Sequence, residues 1–348
     1  MTLTLPARTE TIRRLATIER IESIRDIPDA DAIVCARVRG WDVVVKSGDF
    51  VAGDLCLYVE IDSLIPTADP RFDFLAPRGV RTDPEGNTGH VLKTAKLRGQ
   101  YSQGLALGLA EFPEFTDAFI GSDVTRDLGI VKWDPPIPAE LAGNVRGVFP
   151  AWIPKTDEER IQNNGAIIGT PGNWVATEKI DGISMTAWTL REDFGVAQRN
   201  YDLQESDNLL WATARQLGLH EILRTLGESA AVQGELFGPS LPSNRLGQKS
   251  VQFRAFTVFV DGAELPRSEW PAELLAIAVP IYDLVLPATV EAAVDQVDGL
   301  RSLVNPERAA EGVVWRNMTD TTIEVDGYRQ RASAKVISRK YLAKHQDS

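Results

Sequence analysis

The first third of the chain consists of short runs of β-branched and aromatic residues that Gly and Pro interrupt about every 10 residues. Residues 33–48 and 54–62 are of this kind, and residues 93–110 indicate a further strand pair around a glycine-rich turn. Short strands with closely spaced turn signals are typical of a small closed barrel. The pattern therefore predicts an N-terminal OB-type β-barrel.

A proline-rich stretch, WDPPIPAEL at 133–141, ends this pattern. Two successive prolines block a helix and favour an extended linker. Beyond it, strand and helix patterns alternate without a strict βαβ rhythm, which favours an α+β domain. The chain is therefore predicted to contain an OB-like nucleic-acid-binding domain at 1–132, a linker at 133–147 and an α+β catalytic domain at 148–348.

Three local signals predict element boundaries in the second domain. Thr156 and Glu159 have the spacing of a capping box that begins a helix. Residues 205–226 carry apolar side chains at helical spacing, with Ser206 as the predicted cap. Asp326-Gly327 predicts the turn of a hairpin.

The charge balance restricts the function. The chain has 37 Lys and Arg against 49 Asp and Glu in 348 residues, a net charge of −12. Non-specific coating of nucleic acid requires clustered cations, so this class is excluded, whereas an enzyme with a local basic groove is not. One acid-free basic segment, 327–346, is either such a groove or a solvated face.

The cysteine count and the hydropathy pattern indicate a compartment. Cys35 and Cys56 are too few for a disulfide framework, which favours a reducing cytoplasm. No apolar run approaches the roughly 20 residues that cross a bilayer, so no membrane association is predicted.

Several catalytic signatures are missing from the sequence. It contains no P-loop, GxGxxG, HExxH or GxSxG motif. His90, His220 and His345 are scattered, which argues against a histidine-based triad.

Lys179 is the candidate nucleophile. It ends a predicted strand in Glu178-Lys179-Ile180-Asp181-Gly182. A free lysine has a pKa near 10.4, so catalysis requires nearby cations, from a metal or from other Lys and Arg residues, that lower this pKa. The KxDG motif alone is weak, and a surface turn is the alternative. Its meaning depends on the elements that follow it in order: Arg199-Asn200; Glu235 within QGELFG (233–238); Phe253, Phe256 and Phe259; Glu311-Gly312; and Lys335-Val336-Ile337.

This series resembles the covalent nucleotidyltransferase superfamily of polynucleotide ligases and mRNA capping enzymes. Within it, the chain is similar to ATP-dependent RNA ligases with an N-terminal OB domain (Deinococcus-type RNA ligases), as segments 21–45, 96–105, 135–143 and 153–163 also indicate. The resemblance covers nearly the whole chain. It implies that residues 148–348 form an ATP-grasp-like adenylyltransferase (RNA ligase) domain.

The resemblance also implies a reaction. Lys179 would take AMP from ATP as a phosphoramidate, the AMP would pass to a 5′-phosphate, and a 3′-OH would then seal the strand. Mg²⁺ or Mn²⁺ would assist. The resemblance implies RNA repair in the cytoplasm, by the sealing of nicks in duplexes with RNA on the 3′-OH side, without an obligate protein partner.

Residue roles follow from the same resemblance. Asp181 and Arg199 would orient the reactants, and Lys335 would neutralise charge and help to lower the pKa of Lys179. The implied ATP-binding set is Glu178, Lys179, Gly182, Arg199, Glu235, Phe256 and Lys335, and the implied metal ligands are Glu311 and Glu235. Ile337 stands where some relatives have a second lysine, which leaves Lys340 as a nucleic-acid contact.

The sequence does not decide which aromatic residue stacks on adenine. Phe256 best matches the family position, but Thr257 replaces an acid that often follows, so Phe253 and Phe259 remain alternatives. In the barrel, phosphate contacts are equally open for Arg37, Arg39, Lys46, Lys93, Lys96 and Arg98. Trp41 and Tyr101 are candidates either for base stacking or for filling the barrel.

Two other functions compete with an RNA ligase. A DNA ligase or capping-type guanylyltransferase usually has its OB domain after the core, whereas only 13 residues follow Lys335 in this sequence. A non-enzymatic OB-fold RNA-binding protein would account for the first 110 residues, but it has no need of the charged motifs after residue 174.

Overall fold

The computed structural model describes residues 13–134, 144–239, 241, 244–319, 322–325 and 328–345. These residues form two compact units, one of 13–134 with 342–345 and one of 144–341. Most of the predicted linker, and the predicted Asp326-Gly327 turn, lie outside the described residues. Within the described part of the chain, no helix is long and apolar enough to span a membrane.

The N-terminal unit is built from antiparallel strands and short 3₁₀ helices. The strands are β1 (Ala16–Arg20), β2 (Ser23–Ile27), β3 (Ala30–Val38), β4 (Trp41–Lys46), β5 (Leu55–Val59), β6 (Ser63–Pro66), β7 (Arg81–Thr82), β8 (Thr88–Val91), β9 (Ala95–Leu97), β10 (Gln100–Ser102), β11 (Leu105–Gly108) and β12 (Val131–Lys132). The 3₁₀ helices are Pro70–Arg78, Leu109–Glu111 and Pro113–Phe115. The sheet orders are β1-β5-β11, β2-β3-β4, β12-β6-β8-β7 and β9-β10.

One apolar core fills this unit. Trp41 and Tyr58 are fully buried in it, and the Tyr58 hydroxyl donates to the Gln103 carbonyl at 2.8 Å, which satisfies its polar atom. Trp41 therefore fills the barrel, and the alternative of base stacking at this residue is wrong.

The C-terminal unit combines strands with helices. Its strands are β13 (Val145–Val148), β14 (Trp174–Lys179), β15 (Ile183–Leu190), β16 (Asp193–Ala197), β17 (Tyr201–Leu203), β18 (Ser229–Phe237), β19 (Gln252–Val260), β20 (Ala263–Glu264), β21 (Ile281–Tyr282), β22 (Gly312–Asn317), β23 (Thr322–Val325), β24 (Tyr328–Arg331) and β25 (Ser333–Ile337). Its α-helices are α1 (Leu209–Gln216), α2 (Leu219–Arg224), α3 (Ala272–Ala276), α4 (Val290–Val297) and α5, which begins here and spans Arg339–His345. The 3₁₀ helices are Gly165–Ile167 and Arg267–Glu269.

Two large antiparallel sheets organise this unit. One has seven strands in the order β13-β17-β16-β15-β18-β19-β20, and the other has four in the order β21-β14-β22-β25. Trp211 of α1 and Leu223 of α2 pack into the core of the larger sheet. Val294 of α4 packs with Trp315 in the core of the smaller one. Each of the two sheets therefore packs on its own hydrophobic core.

Two helix predictions need correction. Residues 205–226 form two helices, because Gly218 adopts a left-handed conformation (φ 61°) between them. The cap of α1 is Asn208, whose side chain accepts from the Trp211 N–H at 3.0 Å, and not Ser206. No helix begins at Thr156, because its hydroxyl bonds the Gln233 side chain at 2.7 Å and ties this segment to β18.

Candidate active site

Strand pairing brings Lys179 to Glu311. Lys179 ends β14 and lies opposite Gly312 of β22, so the residue before Gly312 is its neighbour. The Lys179 Nζ donates to Glu311 Oε1 at 2.6 Å. Gly312 is needed for this arrangement, since a Cβ at this position would collide with the Val336 carbonyl oxygen of β25.

Lys335 comes from the next strand of the same sheet. In the β22–β25 pairing it lies opposite Val314, and its backbone N–H donates to the Glu159 carbonyl at 2.8 Å. Burial raises the pKa of the Glu311 carboxyl, and the Lys335 charge acts against this increase. Three neighbouring strands therefore bring Lys179, Glu311 and Lys335 together.

Glu235 reaches the same site from the larger sheet. It lies on β18, opposite Ser184 of β15 and Arg254 of β19. Burial raises the pKa of Glu235 to about 8. The Lys179 charge acts to lower this pKa, and the Glu311 carboxylate acts to raise it. The candidate site thus lies where the two sheets meet.

The acidic surroundings bear on one expectation about Lys179. Burial alone lowers the pKa of the Lys179 ammonium, but the carboxylates of Glu311, Glu235 and Asp181 outweigh burial and raise the pKa above its usual value. The sequence interpretation had cationic neighbours, Lys335 among them, lowering this pKa. In the ligand-free protein the carboxylates have the larger effect, so the lowering of this pKa stays a prediction for the protein with its metal ion.

Asp181 is held by two residues that the sequence did not single out. Its Oδ2 accepts from Arg245 Nη1 at 2.8 Å and from the Tyr341 hydroxyl at 2.6 Å. Burial and the Asp181 charge raise the pKa of the Tyr341 hydroxyl, so Tyr341 acts as a neutral donor. No sequence motif marks Arg245, in the loop after β18, or Tyr341, in α5, because only the fold brings them to Asp181.

Gly182, Arg199 and Lys340, three other residues predicted from the sequence, each have different neighbours. Gly182 lies against β18, where a Cβ would meet the Leu236 carbonyl oxygen. The Arg199 guanidinium pairs with the Asp157 carboxylate at 2.8 Å, and its charge acts to lower the pKa of Glu235. Lys340 is exposed on α5.

Glu178 points away from the Lys179 ammonium, as neighbouring residues of a strand do. Its Oε2 accepts from the Leu303 N–H at 2.8 Å, and burial raises the pKa of its carboxyl. Its Oε1 is buried and has no hydrogen-bond partner among the described residues.

A β-bulge distinguishes the three phenylalanines of β19. Gln233 pairs with Thr257 and Gly234 with Ala255, so Phe256 has no residue opposite. Phe256 is half-buried and packs against the small apolar cluster of Ile180, Phe237, Leu246 and Val279, in which Ile180 directly follows the candidate nucleophile.

The other two rings belong to apolar cores. Phe253 and Phe259 are 3% and 4% exposed, which leaves no free ring face for a ligand. Of the three, only Phe256 keeps part of its surface accessible beside the site.

The site suits a hard divalent cation that phosphate oxygens help to bind. Within the described residues, no cluster of three or more His, Cys, Asp or Glu side chains forms a complete metal cage. Glu311 Oε2 is nevertheless buried and has no hydrogen-bond partner in the described part of the chain, and burial raises the pKa of this carboxyl. Mg²⁺ is typically held by one or two carboxylates together with substrate phosphates, which fits Glu311 and Glu235.

Comparison with known proteins agrees with this architecture. A family model described as an OB-fold domain matches residues 15–109, and one described as RNA ligase matches residues 172–337. A comparison with curated proteins gives no match.

Solved structures of one RNA ligase match nearly the whole chain. Naegleria gruberi RNA ligase with PPi is 38% identical, with a TM-score of 0.82, over 97% of this chain and 100% of that one. A glutamate-to-alanine mutant of the same ligase with AMP and Mn is 38% identical, with a TM-score of 0.84 and the same coverage. A lysine-to-alanine mutant with ATP and Mn is 38% identical, with a TM-score of 0.83, over 96% and 100%.

The fold and site thus define a ligase with an OB-fold domain before an α+β nucleotidyltransferase domain. The chain belongs to the RNA ligase family. This membership confirms the predicted fold class and enzyme class, a phosphodiester-forming RNA ligase.

Proposed function

We propose that this RNA ligase uses ATP and a divalent metal ion to join 3′-OH and 5′-phosphate ends. The observation that carries the proposal is the contact between Lys179 Nζ and Glu311, with Glu235 and Lys335 in the same site. Structures of the Naegleria gruberi RNA ligase contain ATP or AMP with Mn. Mutants of that ligase include a lysine and an aspartate two positions apart, which is also the spacing of Lys179 and Asp181.

In the first step, the deprotonated Nζ of Lys179 attacks the α-phosphorus of ATP. The N–P bond forms, the P–O bond to pyrophosphate breaks, and pyrophosphate leaves with the electron pair. Because the carboxylates hold Nζ in its charged form, the proton has to leave before attack. A Mg²⁺ or Mn²⁺ ion at Glu311 and Glu235 would supply positive charge that lowers the pKa of this amine.

The remaining steps use the same residues for position and charge. An oxygen of the 5′-phosphate attacks the phosphorus of lysyl-AMP, the N–P bond breaks, and the Lys179 amine leaves and takes up a proton. The 3′-OH then attacks the 5′-phosphorus and releases AMP. Lys335 neutralises charge on the phosphates, Arg245 and Tyr341 hold Asp181 in place, and Phe256 stacks on adenine.

Several finer statements belong to the same proposal. The ATP-binding set is Glu178, Lys179, Gly182, Arg199, Glu235, Phe256 and Lys335, with Lys340 on the nucleic acid. The boundary between the OB-like and adenylyltransferase domains lies within 133–147. The substrate is RNA, in particular a nicked duplex with RNA on the 3′-OH side. Cys35 and Cys56 are free thiols, which supports a cytoplasmic location.

Lysine labelling tests the proposal. The protein is incubated with ATP labelled at the α-phosphate and with Mg²⁺ or Mn²⁺, then run on a denaturing gel. We expect a covalent label on the protein and its loss in Lys179→Met. Lys249→Met, which changes an exposed lysine, should label normally. An unlabelled wild-type protein, or equal labelling of Lys179→Met, contradicts the proposal, and competition with unlabelled GTP tests the choice of nucleotide.

A further inference from the structure

The N-terminal unit contains a positive segment in an otherwise acidic chain. Residues 86–110 include Lys93, Lys96 and Arg98 and no Asp or Glu, although the chain has 49 acidic residues. No acidic residue within this segment would repel a polyanion that binds to it.

The fold presents two of these cations on a tight hairpin. Strands β9 and β10 are joined by Arg98 and Gly99, whose φ angles are 47° and 84°. Two central residues with positive φ are the signature of a type I′ turn, the most common turn of two-residue hairpins. Lys96 and Arg98 are exposed at this tip.

The base of the hairpin is anchored to β4. Ser102 Oγ accepts from the Val44 N–H at 2.9 Å, and the Gln103 N–H donates to the Asp42 carbonyl at 2.8 Å. A hairpin held in this way loses little conformational freedom when it binds a ligand.

Among the residues that the structure describes, the two hairpin cations have no carboxylate partner. Lys96 Nζ lies 5.2 Å from the centre of the Tyr101 ring, directly across the hairpin. Among the described residues, neither Lys96 nor Arg98 forms an ion pair with an acid.

Two other basic residues of the barrel are already paired with acids. Arg37 pairs with Asp42 at 2.6 Å, and Arg39 lies 3.4 Å from Glu19. A phosphate that bound there would compete with a carboxylate, whereas a phosphate at the hairpin would not. The charge pattern therefore favours the hairpin over these arginines.

We propose that the hairpin Ala95–Ser102 contacts the phosphate backbone of the RNA substrate through Lys96 and Arg98. Tyr101 holds the Lys96 ammonium in place from across the hairpin. The assignment rests on the proposed function, because it takes RNA as the polyanion that this protein binds.

A charge-neutral hairpin tests the assignment. Lys96→Gln combined with Arg98→Asn removes both charges and leaves Asn-Gly, a preferred type I′ sequence, at the turn. The matched control is Arg14→Gln with Arg126→Gln, which removes two exposed arginines of the same unit. Affinity for a fluorescent nicked RNA duplex is measured by anisotropy over a range of KCl concentrations.

We expect the hairpin variant to bind about 10- to 30-fold more weakly at 0.15 M salt, because two phosphate contacts are lost. The slope of log K against log salt should fall by about 1.4 to 1.8. The control should change affinity by no more than about threefold. An unchanged affinity in the hairpin variant, or an equal loss in the control, overturns the assignment.

Lysine labelling without RNA separates this proposal from the enzymatic one. The hairpin variant should label with ATP as the wild type does, while it seals a pre-adenylylated nicked RNA more slowly. A wild-type protein that binds RNA but never labels contradicts the proposed function alone. A hairpin variant that labels and seals at the wild-type rate contradicts the hairpin assignment alone.

Discussion

At the scale of single residues, the central feature is an amine surrounded by carboxylates. Glu311, Glu235 and Asp181, when they are ionised, each favour the charged form of Lys179, so the ligand-free protein keeps this candidate nucleophile protonated. Burial raises the pKa of both Glu235 and Glu311, and the neighbouring carboxylates raise it further. We infer that a cation has to bind at these carboxylates before the Lys179 amine can lose its proton and react.

The hydroxyl of Tyr341 gives a prediction at this scale. Tyr341→Phe removes one of the two side-chain hydrogen bonds that hold Asp181 and leaves the buried ring. A hydrogen bond to a charged group contributes about 1.5–3 kcal/mol, so lysine adenylylation should slow by about 10- to 100-fold. Single-turnover labelling with α-labelled ATP measures this rate.

The control makes the same chemical change elsewhere. Tyr282→Phe removes a buried hydroxyl that donates to the Arg301 carbonyl at 2.8 Å and does not touch Asp181. It should leave the labelling rate within about threefold of the wild type. Equal slowing in both variants would show that Tyr341 acts only through the stability of the fold.

At the scale of secondary-structure elements, the bulge in β19 decides which ring is accessible. Phe253, Phe256 and Phe259 recur every third residue, a spacing that gives no preference among them. The unpaired position at Phe256 breaks the strand alternation and leaves that ring half-buried near Ile180. The structure thus separates a ring available to a ligand from two that support the sheets.

Leucine substitutions test this separation. Phe256→Leu should raise the KM for ATP in lysine labelling by about 5- to 100-fold, since stacking of an aromatic ring on a base contributes about 1–3 kcal/mol. Its thermal stability should stay near the wild-type value. Phe253→Leu should behave in the opposite way, with a lowered Tm and a nearly normal KM. A normal KM in Phe256→Leu would assign the stacking to another residue.

At the scale of the whole molecule, the buried carboxyl of Glu235 makes stability depend on pH. Its pKa is raised to about 8 in the folded protein, from an ordinary value of 4.5. Between these values the folded state binds one proton more than the unfolded state. The free energy of unfolding that this group contributes is therefore complete below pH 4.5 and declines as the pH rises through 8.

Glu235→Gln should remove this decline. The difference in unfolding free energy between Glu235→Gln and the wild type should grow in favour of the variant from pH 5.5 to 8.5, by at most about 1.4 kcal/mol per pH unit. Urea unfolding of the ligand-free protein at three pH values measures it. The exposed Glu228→Gln provides the control and should track the wild type. Parallel pH curves for Glu235→Gln and the wild type would contradict the prediction.

The sequence by itself determined the order of the parts and the class of the protein. Turn-separated β-branched runs predicted the barrel, because strand patterns are local in the chain. The ordered motifs around Lys179, Glu235, Glu311 and Lys335 indicated the ligase family, which the comparisons show. These features could be read without a fold, since each is a property of a few neighbouring residues.

Only the tertiary structure decided which groups surround the candidate nucleophile and which protonation state they favour. Arg245 and Tyr341 meet Asp181 from 64 and 160 positions away along the chain, and no local pattern encodes such contacts. The raised pKa of Lys179 likewise depends on burial and on carboxylates from separate strands. The electrostatic environment of a group is a sum over its neighbours in space, so the sequence could indicate a candidate reactive group but not its protonation state.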